Sequence, residues 1–163
     1  MKAIFLSISL VAFVLTCSAQ TNCNIKKAYA YYTVSMPGVQ MADENGNPIN
    51  PKPIIDRFIY IEWCGVKSPK IETILYNNKA LIATLTVVSG KTVVAGSELS
   101  KDNNTKITVK KNNSLWKIEL QSREGHNMPE EGCKNIIIKV KGTNNTCSFK
   151  LTKETQLMTM PRY

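Results

Sequence analysis

The stretch 135–152, NIIIKVKGTNNTCSFKLT, decides the fold class. Apolar and polar side chains alternate on both sides of the turn sequence Gly-Thr-Asn-Asn, and a period of two residues is typical of half-buried β-strands. Asparagine tolerates the positive φ of tight hairpin turns better than most other residues do. The stretch therefore predicts a β-hairpin of strands 135–141 and 146–152.

The same two signals recur along the chain. Asn-Asn pairs also occur at 77–78, 103–104 and 112–113, each between runs rich in β-branched and aromatic residues, which favour strands. A helical period is almost absent. The predicted strands cover 28–35, 58–63, 71–76, 80–88, 92–95, 105–110, 114–121, 135–141, 146–152 and 155–160.

The alternation also predicts which side chains are buried. In strand 114–121 the buried face carries Trp116, Ile118 and Leu120. The opposite face carries Leu115 together with two charged residues, so we expect Leu115 to face water. Further buried pairs and triplets are predicted at Ile107/Val109, Ile136/Ile138/Val140 and Cys147/Phe149/Leu151.

Eight to ten short strands joined by hairpin turns fit an antiparallel β-sandwich of immunoglobulin-like type, with a small β-barrel as the alternative. The likeness to immunoglobulin domains is architectural, since Trp63 directly precedes Cys64 and the usual Cys…Trp…Cys arrangement is absent. The proline-rich segment 36–57 and the polar segment 122–134 predict long loops. The length of 20–163 suits a single domain.

The chain opens with a pattern typical of a secretory signal peptide. Met1-Lys2 is followed by the uncharged stretch 3–16, which is shorter than the roughly 20 apolar residues of a transmembrane helix. Small residues then allow cleavage between Ala19 and Gln20. We therefore expect residues 1–19 to be removed and the protein to be secreted, periplasmic or at the cell surface.

A lipidated Cys17 is the alternative to simple cleavage. Bacterial lipoproteins carry their lipid on such a cysteine, but they prefer a small residue before it, and Thr16 fits poorly. Lipidation would anchor the protein to a membrane. We expect contact with a membrane only in this case.

The cysteines left after cleavage are Cys23, Cys64, Cys133 and Cys147. Four cysteines in an exported chain predict two disulfides. In the hairpin 135–152, Cys133 would lie about 30 Å along the strand from the residue opposite Cys147, and a disulfide needs Cα atoms within about 7 Å. We therefore expect Cys147 to bond Cys23 or Cys64, and Cys133 to bond the other.

The chain is basic. Residues 20–163 contain 20 basic and 12 acidic side chains, a net charge of +8. The lysines occur singly or in pairs, so the pattern favours solubility over a dedicated binding site. The charge permits a protein, glycan or anionic surface as partner, whereas a nucleic-acid site would need a denser, arginine-rich stripe.

Two groups of residues are candidate sites. Tyr29, Tyr31, Tyr60 and Trp63 either line a ligand face or pack in the core, since aromatic side chains serve both purposes. His126 with Glu124 and Glu130 is a weak candidate for a metal site, because no paired histidines accompany it. We expect no metal and no cofactor.

Catalytic patterns are sparse. No nucleophile elbow is present, and His126 is the single histidine, so a serine or cysteine triad has little support. Glu62, Glu72 and Glu119 could meet as paired carboxylates across a sheet. The sequence therefore favours a non-catalytic binding or structural module, with a small exported hydrolase or a metal-binding protein as alternatives.

Overall fold

The computed structural model describes residues 23–35, 41–46, 48–49, 53–97, 104–121, 132–141 and 146–158. The predicted signal peptide and Cys17 lie outside these residues. Within the described ranges, no helix has the length and hydropathy needed to cross a membrane. The strands are β1 (Ile25–Ser35), β2 (Met41–Ala42), β3 (Pro48–Ile49), β4 (Ile54–Trp63), β5 (Ile71–Tyr76), β6 (Lys79–Val87), β7 (Thr92–Ser97), β8 (Asn104–Thr108), β9 (Ser114–Gln121), β10 (Ile136–Lys141), β11 (Thr146–Leu151) and β12 (Glu154–Leu157).

Eight strands form one mixed sheet in the order β11-β10-β5-β6-β9-β4-β1-β12. Neighbouring strands are antiparallel except β1 and β12, which run parallel from the pair Ala30–Glu154 to the pair Thr33–Leu157. Two small sheets, β2-β3 and β7-β8, complete the described structure. The predicted all-β class is confirmed, with one parallel pair that the alternation does not predict.

The large sheet curls until it nearly closes into a barrel. β12 pairs with only residues 30–33 of β1, while β11 at the other edge of the sheet also contacts β1. A disulfide links Cys147 of β11 to Cys23, which lies just before β1, with 5.6 Å between the Cα atoms. This architecture fits the predicted sandwich-or-barrel class, and the immunoglobulin-like refinement is not confirmed.

Alternate side chains of the large sheet fill the inside of the barrel. Along β4 the inward positions are Arg57, Ile59, Ile61 and Trp63, all buried. β-branched side chains dominate this interior, and each fully buried one contributes about 1.5–3 kcal/mol through the hydrophobic effect. Other inward residues are Ala30, Ile74, Tyr76, Leu81, Ile118, Leu120, Ile136, Ile138 and Val140.

A second apolar layer lies on the outside of the barrel, where the β7-β8 hairpin packs over β1, β4 and β9. Its residues include Leu115, Ile107 and Val109. Leu115 is only 1% exposed, so the prediction that it faces water is wrong. The alternation correctly places Leu115 on the outer face, but it cannot show that a hairpin distant in sequence covers that part of the face.

The turns follow the asparagine signal in part. Asn77 and Asn78 have φ of 45° and 67° and join β5 to β6 in a two-residue hairpin, as predicted. Asn112 and Asn113 lie between β8 and β9, and these two strands do not form a hairpin. β8 is hydrogen-bonded to β7, whereas β9 lies between β4 and β6. Of the other two asparagine pairs, residue 103 and both residues 144 and 145 lie outside the described residues.

The cysteine pairing differs from the prediction in one respect. Cys147 bonds Cys23, one of its two predicted partners, but the second bridge is absent, since Cys64 and Cys133 are free. Cys64 follows β4 at the disulfide end of the barrel, whereas Cys133 contacts Asn77 at the opposite end. The two thiols are therefore separated by about the length of the barrel, far beyond the reach of a disulfide.

Candidate functional site

The predicted ligand face of tyrosines is part of the protein's interior. Tyr31 and Tyr60 are 4% and 6% exposed, and they pack with the half-buried Tyr29 beneath the β7-β8 hairpin. Trp63, 6% exposed, lies on the opposite face of β4, inside the barrel. The four residues do not form one surface, and the core-packing interpretation explains their positions.

The tyrosines instead hold the two layers together. The ring centroids of Tyr31 and Tyr60 are 6.3 Å apart, and each lies 5.8 Å from the ring of Phe58. Edge-on and tilted aromatic contacts of this kind stabilise packing beyond simple burial. This cluster therefore anchors the hairpin on the barrel.

The metal candidates His126, Glu124 and Glu130 lie outside the described residues. Among the residues that the structure describes, no three histidine, cysteine or carboxylate side chains are grouped to hold a metal ion.

The three glutamates considered for catalysis are not brought together. Glu62 is buried and bonded to Asn113, while Glu72 is exposed and accepts a hydrogen bond from Thr146. Glu119 aligns with residue 58 of β4, four residues from Glu62, a distance of about 13 Å at strand rise. This separation along the backbone places Glu62 and Glu119 at different points of the outer face.

A buried ion pair, not predicted from the sequence, occupies the end of the barrel opposite the disulfide. Arg57 Nε donates to Glu154 Oε1 over 3.0 Å, and both side chains have no exposed surface. The backbone N–H of Cys133 donates to Glu154 Oε2 over 2.9 Å. The guanidinium also lies 5.4 Å and 5.7 Å from the ring centroids of Tyr32 and Tyr76.

Burial dominates the electrostatics of this pair. It raises the pKa of Glu154, and the Cys133 N–H and Arg57 oppose that rise. It also raises the pKa of Tyr76, which lies beside Glu154. The cost of desolvating two charges offsets most of the attraction in a buried ion pair, but removing one partner leaves an uncompensated buried charge. A signal for this pair existed in the sequence, since Arg57 occupies the same face of its strand as Ile59 and Ile61.

The disulfide end of the barrel carries an accumulation of lysines. Strand directions place the start of β1, the ends of β4, β6 and β10 and the starts of β5 and β9 at this end. Lysines near these points are all exposed. We call this surface the basic end, and its eight lysines are Lys26, Lys27, Lys67, Lys70, Lys91, Lys110, Lys111 and Lys141.

Little negative charge offsets these lysines. Among the described residues, the basic end contains two acidic side chains, Glu62 and Glu72. The carboxylate of Glu62 lies on the outer face of β4 beneath the turn before β9 and accepts hydrogen bonds from the Asn113 side chain and from Lys110 N, the latter at 3.1 Å. Burial opposes the ionisation of Glu62, but these bonds and the ammonium groups of Lys27 and Lys110 lower its pKa. Glu62 therefore stays charged and supports the turn before β9.

The loop of residues 64–70 projects from the basic end, and we call it the Val66 loop. The N–H of Cys64 donates to Asn24 O over 2.9 Å at its start, and the N–H of Lys141 donates to Lys70 O over 2.8 Å at its end. In between, the Trp63 indole N–H donates to Lys67 O over 2.7 Å. These three bonds fix the loop, and Val66 at its tip is fully exposed.

In comparisons with protein-family models, curated proteins and solved structures, none matches this chain.

Proposed function

We propose that this protein is an exported, non-catalytic binding module that docks on an anionic partner through its basic end. The observation that carries the proposal is the group of eight exposed lysines at one end of the barrel. These lysines are dispersed in sequence, and the strand order brings them together. The sequence pattern alone favours simple solubility.

Electrostatics supports docking by this end. The eight lysines far outnumber the two carboxylates of this end, Glu62 and Glu72, so the described residues leave it strongly positive. Exposed charges act over about 8 Å at physiological ionic strength, and each lysine held near an anionic surface contributes about 1 kcal/mol. Several lysines facing one partner therefore suffice for reversible binding.

The disulfide supports export. A Cys23–Cys147 bond is compatible with an oxidising compartment outside the cytoplasm, where the predicted signal peptide would deliver the protein. Intact mass of the exported protein tests this point. A chain beginning at Gln20 with one disulfide and two free thiols is expected, whereas acyl chains on Cys17 would support the lipoprotein alternative.

Two variants of equal net charge test the docking surface. In the first, Lys67, Lys70, Lys111 and Lys141 of the basic end are changed to Gln. In the matched control, four exposed lysines placed toward the opposite end are changed to Gln: Lys79, Lys134, Lys150 and Lys153. Binding of each to heparin and to phosphatidylserine vesicles is compared with the native chain at about 0.1 M ionic strength.

We expect at least one probe to bind the native chain, and the basic-end variant to lose more than 100-fold in affinity, at about fivefold per lysine. The control should lose far less. Equal losses in the two variants would show that net charge alone drives binding and would overturn the assignment of the surface. A native chain that binds neither probe would overturn the proposed function itself.

A further inference from the structure

We infer that the anionic partner is the headgroup layer of a lipid bilayer, contacted by the Val66 loop and the lysines around it. This inference rests on the proposed function and names the partner class for the same surface.

The first argument is the presentation of Val66. A single exposed valine is ordinary on a protein surface, but this one lies between two residues with backbone hydrogen bonds. Cys64 is bonded to Asn24 just before β1, and Lys70 is bonded to Lys141 of β10. The Trp63 bond to Lys67 O holds the segment between them. The loop therefore presents an apolar side chain outward on a fixed support, and inserting that side chain into a bilayer requires little ordering of the chain.

The second argument is the combination of apolar and cationic groups. Lys67 follows Val66 directly, and Lys70 and Lys141 meet at the base of the loop. A bilayer offers phosphates to the ammonium groups and an apolar phase to the valine. A sulfated polysaccharide offers only the anionic groups, so it leaves the position of Val66 unexplained.

The third argument is the type of cation. Among the described residues the basic end carries lysine and no arginine, since Arg57 is buried at the opposite end. Lysine acts as a mobile point charge, whereas arginine is suited to two-point recognition of individual phosphates. Lysines alone fit a diffuse, laterally mobile layer of headgroups better than a nucleic acid with fixed phosphates.

The position of Cys23 agrees with this orientation. Cys23 lies at the basic end. In the lipoprotein alternative, Cys17 precedes it by six residues, a span of at most about 20 Å. A lipid on Cys17 would therefore turn the basic end toward the bilayer, which is the orientation that the lysines and Val66 also favour.

The test uses the chain 20–163 and sedimentation with phosphatidylcholine vesicles, with and without phosphatidylserine. We expect binding only to the anionic vesicles, and about a tenfold loss in Val66→Ser, the lower end of the effect of burying a valine. Val94→Ser is the matched control, because Val94 on β7 is also exposed, at 55%, but lies away from the loop. It should bind like the native chain.

A second readout is the emission of Val66→Trp, after subtraction of the native spectrum. A shift to shorter wavelength with anionic vesicles would support insertion of the loop. If the protein binds heparin but does not sediment with the vesicles, the lipid inference is overturned while the proposed function stands. If Val66→Ser binds vesicles as tightly as the native chain, the loop is not inserted and the inference fails. If neither probe binds, both proposals fail.

Discussion

Removal of the Cys23–Cys147 disulfide should destabilise the barrel strongly. The two cysteines are 124 residues apart in sequence, and the chain-entropy relation for a loop of that length gives about 5 kcal/mol at 25 °C. The relation treats the unfolded chain as structureless, and residual structure in the unfolded state reduces the effect, so the calculated value is an upper figure. For Cys23→Ser/Cys147→Ser we expect the free energy of unfolding to fall by about 4 kcal/mol.

The assay is equilibrium unfolding in urea, followed by tryptophan fluorescence, because Trp63 is buried beside this end of the barrel. Cys64→Ser serves as the control. Cys64 is free and half-buried, so its replacement should change stability by less than about 0.5 kcal/mol. A double variant within about 1 kcal/mol of the native protein, with an unchanged dependence on urea, would refute the role of the bond in closing the sheet.

Three further predictions follow from the polar contacts. Arg57→Met and Glu154→Gln should each lower the free energy of unfolding by about 3–5 kcal/mol, because each leaves the other group buried without its partner. In urea unfolding, the loss in the double variant should be smaller than the sum of the two single losses. Additive losses would contradict the ion pair. Folding lowers the pKa of Glu62 from about 4.5. As the pH falls, Glu62 therefore takes up its proton in the unfolded chain at a higher pH than in the folded protein, and the stability that the ionised carboxylate contributes is lost. Glu62→Gln should lack this loss between about pH 6 and pH 3, and a stability curve parallel to that of the native chain would show that Glu62 does not contribute. A Cβ at Gly65 would lie 2.6 Å from Trp63 Nε1, so Gly65→Ala should cost about 1–3 kcal/mol and alter tryptophan emission; if neither changes, the Val66 loop is not fixed by Trp63.

The strands were predictable because alternation is a local property of the chain. The predicted strands 71–76 and 114–121 coincide with β5 and β9 residue for residue, and the turn at Asn77–Asn78 follows from the backbone preference of asparagine. The order of the strands was not predictable. It depends on contacts such as β5 with β10 and β1 with β12, which join segments far apart in sequence.

The candidate site was largely hidden from the sequence for the same reason. Lys27, Lys67 and Lys111 are distant along the chain, and only the alternating directions of antiparallel strands place them at one end. The alternation pattern contained evidence for burial of Arg57, which shares a face with Ile59. Leu115 shows the converse limit, because its burial depends on a hairpin whose position no local pattern encodes.

The parallel pair of β1 and β12 has a consequence for refolding. Ala30 and its partner Glu154 are separated by the same 124 residues as Cys23 and Cys147, so the covalent bond and the parallel ladder share one offset. A slip of one residue would turn Glu154 to the other face of the sheet and leave Arg57 without its carboxylate. With the bond formed, β12 reaches the correct alignment by a search over a few residues rather than over most of the chain. Refolding with the disulfide intact should therefore be markedly faster than refolding of the reduced protein.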